Sequence, residues 1–337
     1  MNDTISTTGT PPTGATGTNR DRLRGIHHVT AIASDPQRNV DFYAGVLGLR
    51  LIKKTVNFDD PSAYHLYYGD ESGSAGSIVT FFYWPQGAAA GRIGSGQTTA
   101  LSFSAPAGSF PYWKTRLESA GVSVAETDRF GERLLAFADP DGIPIEIVSV
   151  DDDARVGWSG GEVPSIHALR GLHTARLTLA RSGPTRALAT QAMGYRVVRE
   201  EMGFTRLETG AGGSGTFIDL IEDAKAPRGL GGVGTIHHVA WSTPDDSTEL
   251  EMQERLADAG VAVSPVRDRN YFHSIYYREP GGVLFEIATE GPGFAIDESL
   301  EQLGSALKIP PQYEPARAQI ERILPPLRAP RRHGGAA

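Results

Sequence analysis

Short stretches of alternating apolar and polar residues recur along the chain. His27-His28-Val29-Thr30-Ala31-Ile32, Tyr64 to Tyr68, Ser77 to Trp84 and His237-His238-Val239-Ala240-Trp241 each read as strands. After the first of them the period changes to that of a helix, with Val40, Tyr43 and Leu47 on one face. Asp35-Pro36 supplies a capping carboxylate followed by proline at the first helical position, and Gly48 stands where a left-handed C-terminal cap is expected. The order is strand, helix, then two or three strands. A βαβββ unit of this kind has one apolar sheet face and cannot stand alone, so units must pair.

The pattern repeats. Arg24-Gly25-Ile26-His27-His28 returns 146 positions later as Arg170-Gly171-Leu172-His173-Thr174, and Leu47 to Ile52 returns as Met193 to Val198 at the same offset. Arg116 to Val122 is echoed 139 positions on by Arg255 to Val261, and Asp139 to Gly142 is echoed 140 positions on by Glu279 to Gly282. Four units follow: one (24–86), two (96–150), three (170–224) and four (233–290). The expected division is a disordered tail over 1–22, an N-terminal half over 23–150, a linker over 151–169, a C-terminal half over 170–292, and an extension with a tail over 293–337. The Thr/Gly/Pro-rich start and the closing PPLRAPRRHGGAA have little to bury, which argues disorder at both ends.

Composition narrows the chemistry. A chain of 337 residues, 39% hydrophobic and 21% charged, can bury a sizeable core. No apolar run approaches the length of a membrane span and no secretory leader is visible, so a cytoplasmic protein without membrane contacts is expected. A net charge of −8 argues against phosphate-neutralising nucleic-acid binding. Zero cysteine excludes disulfides, thiol nucleophiles and thiolate metal sites together. Any metal must be held by nitrogen and oxygen.

Two histidine pairs suggest where. Alternation puts Ile26, His28 and Thr30 on one strand face and His27, Val29 and Ala31 on the other. His238 and His237 divide in the same way. Glu286 sits in the otherwise apolar Gly282 to Ala288, where a carboxylate is costly unless paired, protonated or metal-bound. Two histidines and one carboxylate form the facial triad of non-haem Fe(II) sites. In the repeat, Thr174 falls opposite His28 and Ala100 opposite His238, while unit two keeps an acid, Glu146, and the last strand of unit one has none. Pairing one with two and three with four leaves each site two ligands. Pairing one with four and two with three gathers His28, His238 and Glu286, against Glu146 alone. The alternative for each residue is structural. Glu146 reads as a relic or a salt-bridged core acid, His173 as packing at a strand start, and His65 as a sheet residue rather than a pocket wall. His167 and His333 fall in linker and tail, where exposure is the default.

The βαβββ units with His-His-Val openings, Phe-Tyr before Leu-Gly, and a closing Phe-Glu-Ile resemble the vicinal oxygen chelate superfamily of glyoxalases, bleomycin-resistance proteins and extradiol dioxygenases. More narrowly, Gly25 to Thr30, Tyr64 to Asp70, Arg267 to Glu279, Gly281 to Phe294 and Pro310 to Glu314 resemble ring-cleaving dioxygenases that act on hydroquinones. The resemblance implies an α+β fold of four βαβββ modules in two tandem glyoxalase-like halves, with curved mixed sheets forming a metal-binding cup. It implies Fe(II), with Mn(II) as the other candidate, on His28, His238 and Glu286. It places His27, His237, Thr30, Arg269 and Tyr276 around metal and substrate. A small aromatic substrate and O2 are the implied partners, and a homo-oligomer is left open. Phe81, Phe82, Tyr83, Phe272 and Trp241 are candidate pocket walls. The runner-up is a glyoxalase-type isomerase or lyase, which commonly takes a fourth ligand that unit one lacks. A metal-free binding protein ranks last, because it leaves the paired histidines and Glu286 without a shared purpose.

Overall fold

The computed structural model describes residues 22–84 and 88–328. Most of the expected N-terminal tail, and His333, lie outside the described residues.

Each module follows the predicted order. Module one comprises β1 (Gly25–Ala33), α1 (Pro36–Val40), β2 (Arg50–Val56), β3 (Tyr64–Gly69) and β4 (Ile78–Tyr83). Asp35 caps its helix by accepting from the Arg38 amide at 2.8 Å, and a wider turn over Asp41–Val46 carries the helix on to Gly48. Gly48 has φ of +71°, and a Cβ there would meet Val163 at 2.4 Å, so both conformation and space require glycine. Module two holds β5 (Gln97–Ala105), α2 (Phe110–Ser119), β6 (Ala125–Arg129), β7 (Glu132–Ala138) and β8 (Pro144–Ser149). Module three holds β9 (Gly171–Leu179), α3 (Gly183–Gln191), β10 (Arg196–Glu201), β11 (Phe204–Glu208) and β12 (Phe217–Glu222). Module four holds β13 (Thr235–Thr243), α4 (Asp246–Asp258), β14 (Arg267–Asp268), β15 (Phe272–Arg278) and β16 (Leu284–Pro292). A short helix, α5 (Arg317–Ile323), follows in the C-terminal extension.

The modules pair crosswise. One eight-stranded sheet runs β14-β15-β16-β13-β1-β4-β3-β2 and the other β10-β11-β12-β9-β5-β8-β7-β6. Modules one and four therefore share a sheet through the antiparallel β1–β13 pair, and modules three and two through β9–β5. Within each module the first strand pairs with the last in parallel, which makes both sheets mixed. Joining two modules in one sheet covers the edge that each first strand would otherwise expose.

Strict alternation fails at one residue in each opening strand. In the β1–β13 register, Ile26 pairs with Trp241 and His28 with Ala240, which leaves His27 as an extra residue. Thr30 pairs with His238 and Ala31 with Ile236, which leaves His237 as the extra residue of the partner strand. The other sheet omits Thr99 and His173 in the same way. Bulges re-aim side chains. His27 and His237 are thus turned toward their neighbours rather than set squarely on the opposite face, correcting the alternation reading.

The extension beyond β16 packs back on module one. Lys53, fully buried, binds Asp297 and Glu298 at 2.6 Å and the Phe294 carbonyl at 3.0 Å. Tyr313 donates to the Phe58 carbonyl at 2.8 Å, and Tyr64 to the Pro325 carbonyl at 3.0 Å. Pro325 to Arg328, expected as tail, therefore begins in contact with the domain. Among the described residues no helix is long and apolar enough to cross a membrane.

Candidate metal centre

The crossed sheet brings His28 from β1, His238 from β13 and Glu286 from β16 into one buried cluster. His28 Nε2 lies 3.3 Å from His238 Nε2 and 3.5 Å from Glu286 Oε2, and His238 Nε2 lies 2.9 Å from the same oxygen. Adjacent donors each about 2.1 Å from one ion sit roughly 3 Å apart, so these spacings suit three neighbouring ligands of a single cation. Neither Glu286 oxygen accepts a hydrogen bond of good geometry, despite the short approach of His238. A buried carboxylate without donors, facing two ring nitrogens, is what a shared cation explains. Burial alone would push the Glu286 carboxyl up, but His28 and His238 outweigh it and hold the group well below the usual carboxylate range. The donor set fits a divalent metal.

The bulged histidines set the tautomers. His27 Nδ1 lies 2.8 Å from His28 Nδ1, and His237 Nδ1 lies 2.8 Å from His238 Nδ1. If Nε2 of His28 and His238 faces the metal, the proton sits on Nδ1 and is donated to the neighbouring histidine, fixing each ligand ring. Burial first, then the adjacent ligand histidine, lowers the pKa of His27 to about 3, and loss of hydration followed by His238 does the same for His237. A neutral His27 or His237 accepts that hydrogen bond through Nδ1.

A cavity of about 230 Å³ opens from the cluster, small for a drug-sized ligand and suited to a single ring. Thr30, His237, Arg269 and Tyr276 line it, and His27 does not. Tyr276 accepts from Arg269 Nε at 3.1 Å and from Ser274 Oγ at 3.1 Å, so its own proton is free to point elsewhere. Burial first and Glu286 next raise its pKa, and the phenol stays neutral. Of the proposed aromatic walls, Phe82 and Phe272 line the cavity, whereas Phe81, Tyr83 and Trp241 are core.

Several wall residues escaped the sequence reading. Asn57, Phe58 and Asp59 come from a loop with no distinguishing pattern, Trp84 from the residue just beyond β4, and Tyr67 from β3. His65 sits in β3 as expected and also lines the cavity, contrary to the preference against a pocket wall. It belongs to a hydrogen-bonded chain: Tyr67 OH to His65 Nδ1, His65 Nε2 to Thr80 Oγ1, and Thr80 Oγ1 to Thr30 Oγ1, each at 2.9 Å. Burial first, then His28 and His238, keeps the His65 pKa well below its ordinary value. Thr80 holds, by register, the place in module one that Glu286 holds in module four, because Thr80 pairs with Thr30 as Glu286 pairs with Ala240. The fourth ligand of a four-ligand site is thus replaced by a threonine already bonded on both sides.

The second sheet carries the plugged counterpart. Glu146 accepts from Arg129, from Arg176 at 2.6 Å and from Ser102 at 2.6 Å, which confirms a salt-bridged core acid. Asp219, opposite Arg176 and so in the equivalent position of module three, accepts from Arg206 at 2.7 Å and Arg129 at 3.1 Å. Asp219 is not foreseen from the repeat, because its strand lacks the Glu-Ile ending, so the second sheet holds two such acids rather than Glu146 alone. His173 packs at its strand start against Glu132 and Ser214. His167 is not free in solvent, since it bonds Ser109 at 3.1 Å and stacks on Tyr112.

Comparison with known proteins agrees with this fold. The family model of the Glyoxalase/Bleomycin resistance protein/Dioxygenase superfamily matches residues 25–147 and 184–287. The candidate ring-cleaving dioxygenase MhqO of Bacillus subtilis (strain 168) is 48% identical over 305 residues, covering 90% of this chain and 97% of the relative. A chlorohydroquinone/hydroquinone 1,2-dioxygenase of Sphingobium indicum is 35% identical over 311 residues, covering 90% and 97%. Among solved structures, a candidate dioxygenase from Bacillus subtilis superposes with a TM-score of 0.88 at 47% identity, covering 91% of this chain and 98% of that one. Glyoxalase I from Zea mays, at 14% identity, shares the fold with a TM-score of 0.60 over 81% of this chain and 94% of its own.

Proposed function

The chain belongs to the Glyoxalase/Bleomycin resistance protein/Dioxygenase superfamily, and from that premise we propose that it is an Fe(II)-dependent ring-cleaving dioxygenase of extradiol type acting on a hydroquinone-like dihydroxybenzene with O2. The observation that carries this reading is the three-donor cluster of His28, His238 and Glu286, with Thr80 where a fourth ligand would stand. A three-ligand site leaves coordination positions for substrate and O2, whereas the glyoxalase-type alternative commonly uses the acid that module one lacks. The names of the relatives point the same way.

When bound, a divalent iron supplies acidification of the substrate hydroxyl and a place for O2. The remaining work falls to this chain's own side chains. The Arg269 guanidinium offsets negative charge on the substrate oxygen and holds Tyr276 through Nε. Tyr276 keeps its proton and can donate it to an oxygen that gains charge. Thr30 is oriented from behind by Thr80 and His65. Phe272 and Phe82 restrict the ring and exclude water. A para-hydroquinone presents only one oxygen to the cluster, which the small cavity accommodates.

The test is anaerobic purification with analysis of bound iron, manganese, zinc and nickel, followed by O2 uptake with methyl- and chlorohydroquinone and with catechol as control. Iron-dependent O2 consumption with a hydroquinone is expected. No uptake with any dihydroxybenzene by iron-loaded protein would overturn the reading.

A further inference from the structure

His237 has cavities on both sides. One is the pocket above the metal ligands, and the other, of about 670 Å³, opens on its outer flank. The outer cavity is walled by the start of β5, by the segment 226–231 and by the turn between β15 and β16. These walls are built. The Ser95 amide donates to the Pro227 carbonyl at 2.8 Å, the Gly229 amide to the Ser95 carbonyl at 2.9 Å, and Arg92 and Leu230 exchange both backbone bonds. The two backbones run so close that a Cβ on Gly94 would stand 2.2 Å from the Pro227 carbonyl oxygen.

Its chemistry is one-signed. Arg228 and Arg278 line it, with no aspartate or glutamate in the lining, in a chain of net charge −8. Neither arginine forms an ion pair among the described residues. Arg278 spends one donor on the Gly282 carbonyl at 2.9 Å, out of the five that a guanidinium carries. Thr98, 3% exposed, lines the same cavity, and its hydroxyl has no hydrogen-bond partner. Buried hydroxyls are normally satisfied, and guanidiniums without a counter-charge favour planar anions.

We propose that this cavity is a carboxylate-binding site that receives the ring-opened acid leaving the metal centre past His237. The inference rests on the ring-cleavage reading. Both atoms of O2 enter the hydroquinone as the ring bond beside one hydroxylated carbon breaks. The two carbons of that bond give up the electrons that O2 takes, and no other reactant is consumed. The hydroxylated carbon becomes a carboxyl group, ionised at neutral pH, and its former neighbour an aldehyde. Substrate is neutral and product anionic, so two guanidiniums discriminate between them by charge. The cavity draws product from the metal centre without competing for substrate.

The probe is cis,cis-muconate, a stable six-carbon unsaturated dicarboxylate, titrated calorimetrically into the full-length metal-loaded protein, with its neutral dimethyl ester as control. Muconate binds and the ester does not. Replacing both arginines (Arg228→Ala with Arg278→Ala) weakens muconate binding by about tenfold or more, the size of a lost charge-assisted pair. Thr98→Val, which keeps shape and removes only the hydroxyl, weakens it less and guards against a misfolded double variant. In turnover, muconate lowers kcat for the hydroquinone and leaves KM unchanged. Equal affinity in the double variant, or purely competitive inhibition that the arginines do not influence, overturns the assignment. Binding is read without turnover. Arginine-dependent muconate binding by a protein that consumes no O2 therefore supports the cavity and overturns the ring-cleavage reading instead.

Discussion

Glu286 and Glu146 occupy equivalent places in two related sheets and have opposite surroundings. Glu286 faces two ring nitrogens and no aligned donor, while Glu146 is saturated by Arg129, Arg176 and Ser102. Substitutions should therefore separate them. His238→Ala should abolish metal binding, measured by anaerobic Fe(II) titration. Glu146→Gln should leave metal content unchanged while costing about 3 kcal/mol of stability, because it removes one partner from a buried ion-pair network. Equal loss of metal in both would show the ligand set to be wrong. His65 gives a second prediction. His65→Phe keeps a ring but removes its bonds to Tyr67 and Thr80. The expected result is a fall in kcat of about tenfold or more with unchanged metal content, as for other partners that orient reactive groups. An unchanged kcat would show the hydrogen-bonded chain to be packing only. Most of this site could be read from the amino-acid sequence, because His28, His238 and Glu286 are unusual in their apolar strands and recur at repeat-equivalent places. His65 could not be recognised, because a histidine in a buried strand has an ordinary structural reading. Asp219 was hidden by the divergence of module three.

Strands and helices obey local rules here except where the site bends them. The helix of module one starts at Asp35-Pro36 and ends at Gly48 as its residues dictate. Bulges at His27 and His237 carry no such mark, since period-two reading has no means of inserting an extra residue. They appear only in the cross-strand register, and that register brings the outer histidines to the ligand rings. Helix α4 offers a test of stability. Glu249 on its inner face is fully buried, neither carboxyl oxygen has a hydrogen-bond partner, and burial raises its pKa to about 7, with His273 opposing and Asp246 and Glu286 assisting. A carboxyl raised on folding binds its proton more tightly in the native state, so its contribution falls as pH rises from about 4.5 through about 7. Urea unfolding of the parent protein should therefore show stability declining across that window, and Glu249→Gln should flatten the decline. An unaltered slope would place the pH dependence elsewhere.

As a whole the molecule is two crossed sheets, and the His28, His238 and Glu286 cluster depends on the crossing. The halves before and after the 151–169 linker each carry half of both sheets, so each alone holds only part of the triad: His28 in the first, His238 and Glu286 in the second. We propose that these halves are separable units. Expressed alone, the N-terminal half should bind no iron, and co-expressed halves should reassemble and bind one ion per pair, as measured by metal content after gel filtration. Failure of co-expressed halves to regain metal would mean that the linker is needed for assembly. The crossing itself was inferable from ligand count, since only one pairing of units completes a triad. The loops that roof the cavity and the path of the extension over β2 were not, because tertiary packing rather than local pattern sets them. The proposed iron is located by an anomalous difference map at the iron edge from a crystal of anaerobically iron-loaded protein. One peak is expected, within ligand distance of His28 Nε2, His238 Nε2 and Glu286. A peak beside Glu146 or Asp219, or none at all in protein shown to contain iron, would contradict it.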